Sequence, residues 1–352
     1  MLAITVRPGV ADSATLAEMP EPDPGDGAVL VRALALGVCG TDREILAAEY
    51  GRAPPGADRL ILGHESLGEV IEAPAGCGLR PGDRVVGIVR RPDPVPCPAC
   101  ATGEWDMCRN GRYTERGIKE RHGYGAERFR LEPDFAVKVD PALGLCGVLL
   151  EPASVVAKAW DHVDRIGRRD RAFRPRTVLV TGAGPIGLLA ALLGRQRGLD
   201  VTVFDRNTEG PKPALVRALG AAHLAGDLAA LEALAPDIIM ECTGAVPVIA
   251  AVLGRTAPAG IVCLAGLSGV GRMGPVDIGL INRAMVLNNG VAFGTVNANR
   301  AHFETAAAAL AQADRAWLAG LISRRVPLAR WREALAPLPG DIKTVIEFAS
   351  PA

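Results

Sequence analysis

The feature that most constrains this chain is a glycine loop with a strand-like run before it and a helix-like run after it. Thr177-Val178-Leu179-Val180-Thr181 leads straight into Gly182-Ala183-Gly184-Pro185-Ile186-Gly187. That succession opens a dinucleotide-binding unit. Gly182 permits the tight turn, Gly184 the close approach of a pyrophosphate, and Gly187 the close packing of helix on strand. Pro185 and Ile186, within the same loop, are cofactor-binding candidates with the glycines. The same alternation continues, with strands expected at 177–181, 200–204, 237–241 and 261–265, the last closing the series. Helices are expected between them at 186–197, 212–219 and 246–253. Apolar strands alternating with helices predict a doubly wound parallel sheet that takes its ligands at the carboxyl ends of its strands.

The chain before residue 151 follows another pattern. Residues 29–34 and 68–72 are strand-like, and 80–87 is a Pro-Gly-Asp turn feeding a strand. Such dense Pro and Gly punctuation predicts an irregular β-barrel. Glu151-Pro152 is read as a helix N-cap with proline in the first turn, the helix running to about residue 163. After residue 297 an alanine-rich helix at 303–312, a helix at 331–335 and a strand at 343–348 read as a return to the first domain. The expected division is therefore 1–152, 153–296 and a returning segment 297–352. A chain of 352 residues supports it, since single cores rarely grow past roughly 250–300 residues.

Composition narrows the partners. The 39 basic and 39 acidic side chains cancel, and no basic arm or acidic tail is visible. Neither nucleic acid nor an anionic membrane is expected as a partner. The N-terminal residues alternate like a strand and carry no secretory pattern, so a cytoplasmic location is expected. Eight cysteines in such a setting point to metal ligands and buried thiols ahead of disulfides.

Two short strings carry metal chemistry: Gly37-Val38-Cys39-Gly40-Thr41-Asp42 and Gly63-His64-Glu65. Taken singly, Cys39 reads equally well as a buried thiol, His64 as a core histidine and Glu151 as a helix-terminal carboxylate. Taken together they form a three-ligand open zinc site with Glu65 as a second carboxylate nearby. Thr41 places a hydroxyl beside whatever the metal activates. Cys97, Cys100 and Cys108, spaced C-x2-C-x7-C, supply most of a structural zinc site. The nearest oxygen donor is Asp93, and a lobe that has lost its metal is the alternative. Asp205, 18 residues after Gly187, ends the second strand where an acid can hydrogen-bond a ribose diol. Arg206 beside it can meet a 2′-phosphate. A carboxylate next to a phosphate costs repulsion, so NAD is favoured with NADP as the alternative. Thr243, beyond the third strand, completes the cofactor-binding candidates.

Over nearly its whole length the chain resembles the zinc-dependent medium-chain dehydrogenase/reductase superfamily, and within it the glucose (aldose) 1-dehydrogenase branch. The resemblance rests on Cys39-Gly40-Thr41-Asp42-Arg43-Glu44-Ile45, Gly63-His64-Glu65, Tyr113-Thr114-Glu115-Arg116-Gly117-Ile118, His122-Gly123-Tyr124 and Glu151-Pro152. It rests further on Gly294-Thr295-Val296-Asn297, His302-Phe303 and Ile342-Lys343-Thr344. It implies an α/β protein with a GroES-like catalytic β-barrel domain, a Rossmann domain and a cleft between them. It implies zinc among Cys39, His64 and Glu151, with Glu65 as alternate ligand or supporting carboxylate. Glu115 and Asn297 would lie near sugar hydroxyls or the nicotinamide ribose. The implied reaction is oxidation of an aldose C1 hydroxyl to a lactone, with Thr41 and Glu65 in the proton relay and a homodimer or homotetramer as the assembly. A dehydrogenase of another polyol, cyclitol or secondary alcohol shares the same logic, and a non-catalytic NAD(P)-binding sensor is a further alternative. The branch often has a four-cysteine lobe; here Pro94 stands at the first position.

Overall fold

The computed structural model describes residues 1–269 and 271–348. The fold divides into one unit built from Met1–Ser154 and the chain from Asn297 onward, and a second unit, Val155–Val296.

The first unit is organised by one long strand, Val29–Gly37, whose alternate residues Val29, Val31 and Ala33 are buried. It lies at the middle of a seven-stranded sheet, between Glu65–Glu72 on one side and Lys343–Glu347 on the other. Beyond these come Arg84–Gly87 and Ala136–Lys138 on one flank and Ile322–Pro327 on the other, while Arg128–Leu131 also pairs with the long strand. Val31, Leu36, Val70, Val85, Phe129 and Ile346 share the core beneath. Register does the functional placing. Gly37 stands opposite both Glu65 and Val345, so the end of the long strand meets the residues flanking Glu65 and Lys343. The returning tail thus completes the sheet of the first unit. The helix Arg315–Leu321 and the strand Ile322–Pro327 were not expected. Ser323, Arg324 and Arg325 give that strand a polar reading, as suits the edge of a sheet.

The second unit is a six-stranded sheet ordered Ala222–Leu224, Asp200–Phe204, Thr177–Thr181, Ile238–Glu241, Ile261–Leu264, Val291–Gly294. Every pairing in it is parallel. Chain order reverses at Thr177–Thr181, the switch point beside which such sheets bind ligands. Leu179, Phe204, Ile239 and Val262 form part of its core. The expectation that 261–265 closes the series is corrected: Val291–Gly294 adds a sixth strand at the edge. It is four residues long and none of it is fully buried, so it lacks the continuous apolar run that marks an interior strand.

Glu151 needs a second correction. Residues Pro141–Leu149 form 3-10 turns capped by Asp140 and kinked at Gly144, and the turn after the kink leads directly into the helix Leu150–Gly167. Glu151 therefore sits inside the first α-helical turn and is not the N-cap, and the helix continues past residue 163. The run Pro141–Gly167 is long and apolar enough to cross a membrane, yet 78% of its most apolar window is buried inside the protein. That burial marks it as a core helix.

Candidate active site

In the first unit, Cys39 caps the helix Gly40–Leu46, and Asp42 reaches back to accept a hydrogen bond from the Cys39 amide at 2.8 Å. Asp42 Oδ1 also lies 3.6 Å from His64 Nδ1, both side chains being buried. Neither of those two atoms has a hydrogen-bond partner among the described residues. With Nδ1 turned to Asp42, Nε2 is the ring nitrogen left to bind a cation. One donor atom each from Cys39, His64 and Glu65 lies within 4.8 Å of the others. Burial pulls the imidazole down, but Asp42 and Cys39 outweigh it and hold His64 well above its ordinary value. Burial pushes the Asp42 carboxyl up.

The two glutamates differ. Both oxygens of Glu65 accept from Lys343 Nζ, at 2.7 and 2.6 Å, and that ammonium also donates to the Val38 carbonyl. Glu65 is thus already neutralised. Glu151 is buried and its carboxyl accepts no hydrogen bond among the described residues. Burial pushes it up to about 7, with the nearby Glu65 charge in the same direction and His64 opposing. A thiol, three carboxyls and an imidazole thus face one buried lysine. That excess of acidic groups, with the Glu151 carboxyl unbonded among the described residues, fits a divalent cation such as zinc. Thr41 is half-buried in the first turn of the helix that Cys39 caps.

A second constellation lies in the same unit. Arg90 donates through Nε and an Nη to Glu115 Oε1, at 3.1 and 2.9 Å. The Asn297 side-chain amide donates to that same oxygen at 2.9 Å. Asn297 holds a left-handed backbone, φ +64°, a strained state that persists where its surroundings enforce it.

The cysteine lobe brings its three thiols together. The thiols of Cys97, Cys100 and Cys108 lie within 4.8 Å of one another. Hydrogen bonds led by the Arg109 amide pull Cys97 down to about 6. Asp93 does not join them. Its Oδ1 accepts from the Val95 amide at 2.8 Å and its Oδ2 from Arg112 at 3.2 Å. Among the described residues the lobe supplies three vertices of a tetrahedral site and no fourth.

In the second unit the glycine loop joins Thr177–Thr181 to the helix Pro185–Gln196. Gly182 has φ +87°, and a Cβ on Gly187 would sit 1.8 Å from the Gly182 carbonyl oxygen. Gly184 faces open space, and Ile186 is half-buried in the first turn. A helix start with no side-chain cap offers its amides to phosphate. Asp205 is more engaged than expected. It accepts from the Ala183 amide at 2.7 Å and from the Asn207 amide at 2.9 Å, bracing the loop. Arg206 is exposed. Thr243 packs its methyl toward Gly182 and donates both its amide and its hydroxyl to the fully buried Glu241.

Four of these residues escaped sequence reasoning in their roles: Asp42, Lys343, Arg90 and Glu241. Asp42 and Lys343 stand inside quoted strings, but only strand register reveals what they touch.

Two family models match the chain: the alcohol dehydrogenase GroES-like domain over residues 25–141 and the glucose dehydrogenase C-terminus over residues 144–348. The second covers more than half the chain. The chain belongs to the glucose dehydrogenase family. It is 41% identical to glucose 1-dehydrogenase of Methanocella arvoryzae, across 99% of this chain and 100% of that one. It is 39% identical to glucose 1-dehydrogenase of Thermoproteus tenax, across 99% of each. Haloferax mediterranei glucose dehydrogenase, solved with NADP, Zn and gluconolactone, shares its fold with a TM-score of 0.90 at 32% identity, across 100% of both chains.

Proposed function

We propose that this chain is a zinc-dependent NAD(P) oxidoreductase that oxidises the C1 hydroxyl of an aldose such as glucose to the lactone. The observation that carries the reading is the cluster of Cys39, His64 and Glu65, with one donor atom each within 4.8 Å of the others, together with the buried Glu151 carboxyl that feels the charges of His64 and Glu65. Cys39, His64 and Glu151 would hold zinc, with Glu65 as alternate ligand or supporting carboxylate. When bound, zinc supplies a Lewis acid that lowers the pKa of a hydroxyl at its open position.

The chain's own groups do the rest. Glu115 and Asn297 bind sugar hydroxyls and orient the ring. Thr41 takes the C1 hydroxyl proton and passes it on, and Glu65 takes part in that relay. When bound, the nicotinamide cofactor would supply the acceptor for the hydride that leaves C1, and loss of that hydride together with the hydroxyl proton turns the C1–O bond into the lactone carbonyl. Gly182, Gly184 and Gly187 receive the pyrophosphate at the helix start. Asp205 supports NAD as the preferred cofactor, and the exposed Arg206 leaves NADP as the alternative. Cys97, Cys100 and Cys108 would supply three ligands of a structural zinc, and a lobe that has lost its metal is the alternative.

All eight cysteines are free thiols, which supports a reducing, cytoplasmic setting. We propose a homodimer or homotetramer. The open edge strand Val291–Gly294 supports it, together with the exposed apolar residues Met273, Ile278, Leu280 and Leu287.

Initial rates with glucose, galactose, xylose, inositols and simple alcohols, each with both cofactors, test the reading. Aldoses should lead the panel by about tenfold or more. Equal or faster turnover of inositols or simple alcohols would overturn the assignment of substrate.

A further inference from the structure

The Arg90–Glu115–Asn297 constellation has an asymmetry that the reaction leaves unexplained. Arg90, Glu115 and Asn297 are 5%, 4% and 8% exposed. Three donors converge on one carboxylate oxygen, Glu115 Oε1: two from the guanidinium and one from the Asn297 amide. No hydrogen bond reaches Oε2 among the described residues. The guanidinium is itself fixed, donating to the Asp106 carbonyl at 3.0 Å and lying 3.7 Å over the Tyr113 ring. Asn297 Oδ1 is tied to the Ala298 amide at 2.9 Å, which fixes the plane of the side chain, and its second N–H meets no acceptor among the described residues.

We infer that Arg90 is a positioning residue for substrate specificity. It saturates one oxygen of Glu115 so that Oε2 is presented, in a fixed orientation, as the acceptor for a sugar hydroxyl. The remaining Asn297 N–H is the matching donor for the neighbouring hydroxyl oxygen. An acceptor and a donor held side by side select a vicinal diol and leave a buried group unpaired when one hydroxyl is missing. Arg90 does not touch the reacting atoms. Its planar fork places two bonds on one oxygen and cannot be reproduced by the single-point ammonium of lysine. This inference rests on the placement of Glu115 at the sugar in the proposed function.

The test compares Glu115→Gln, Arg90→Met, Arg90→Lys and the double variant Arg90→Met/Glu115→Gln in the zinc-loaded enzyme. Kinetics use D-glucose and its 2-, 3- and 4-deoxy analogues. The dead-end binding of D-glucose to the NADH-loaded enzyme is followed by nicotinamide fluorescence. Glu115→Gln and Arg90→Met should each raise the glucose KM and the dead-end Kd by about tenfold, the loss of roughly one charge-assisted hydrogen bond. The kcat should stay within about threefold. Both should also shrink the penalty against the most disfavoured deoxy sugar, and the double variant should be no worse than either single. Arg90→Lys should fall between wild type and Arg90→Met.

The outcomes separate the two claims. If Glu115→Gln leaves glucose binding and deoxy discrimination unchanged, the placement of Glu115 at the sugar is wrong. If Glu115→Gln acts but Arg90→Met discriminates like wild type, or their effects multiply, the role of Arg90 is overturned. Should Arg90→Met fail to fold, Arg90→Lys decides: a wild-type Kd and deoxy penalty there overturns the inference.

Discussion

At Gly37 an added Cβ would stand 2.1 Å from Glu65 Oε2, so the absence of a side chain there makes room for a buried carboxylate. That carboxylate survives burial because Lys343 meets both of its oxygens. Removing one partner of a buried pair leaves an uncompensated charge. Lys343→Met should therefore destabilise the protein by about 3–5 kcal/mol, and Lys343→Met/Glu65→Leu by clearly less; denaturant titration of the three proteins measures both. Cys39 and His64 were legible in the sequence because soft donors between glycines are a local signal. The pairing of Lys343 with Glu65 was not, since it joins residues 278 apart through strand register. Asp93 misled because nearness in sequence says nothing of partners. Its carboxylate had already been taken by Val95 and Arg112.

Elements were legible in proportion to their burial. The interior strands Thr177–Thr181 and Asp200–Phe204 emerge where the apolar runs put them. Val291–Gly294 and Ile322–Pro327, both at sheet edges, carry no comparable pattern. Glu151 was read as a cap because Glu-Pro opens many helices, but the preceding 3-10 turns continue into the helix. Short elements also lean on charge. Glu132 follows the strand Arg128–Leu131 and accepts from Arg91 at 2.8 Å and from Arg121 at 2.7 Å. Burial pushes its carboxyl up, but the Arg91 hydrogen bond and the two arginine charges outweigh it and hold it below the usual range. A carboxyl whose folded value is depressed stabilises the fold fully above its unfolded value, about 4.3. That contribution is lost as pH falls through the lower folded value. Wild type should thus lose stability more steeply than Glu132→Gln as pH drops from about 5 to 3; thermal melts across that range read the difference.

At the scale of the whole molecule, the second unit leaves the strand Val291–Gly294 at a sheet edge, and its helix Ile278–Leu287 turns apolar residues outward. Ile278 is 71% exposed and Leu287 64%. Exposed apolar surface of this kind and an edge strand in one unit invite a second copy of the chain. Wild type should sediment as a dimer or tetramer, and Leu287→Glu should shift it toward smaller species without lowering its thermal stability as a monomer. A monomeric wild type at micromolar concentration would remove the proposed assembly. Strand-rich punctuation and alternating βα units are different rhythms, and the sequence reads as two such stretches. What register would bring to each site was not legible there.

The account turns on where the hydride comes from. Oxidation of D-glucose deuterated at C1, with NAD or NADP, reads this directly by proton NMR of the reduced cofactor. The account predicts that deuterium moves to nicotinamide C4, with the lactone as co-product, and that this transfer is lost in Cys39→Ala and His64→Ala proteins that keep their fold. A reduced cofactor free of deuterium, or full transfer by those two variants, would contradict it.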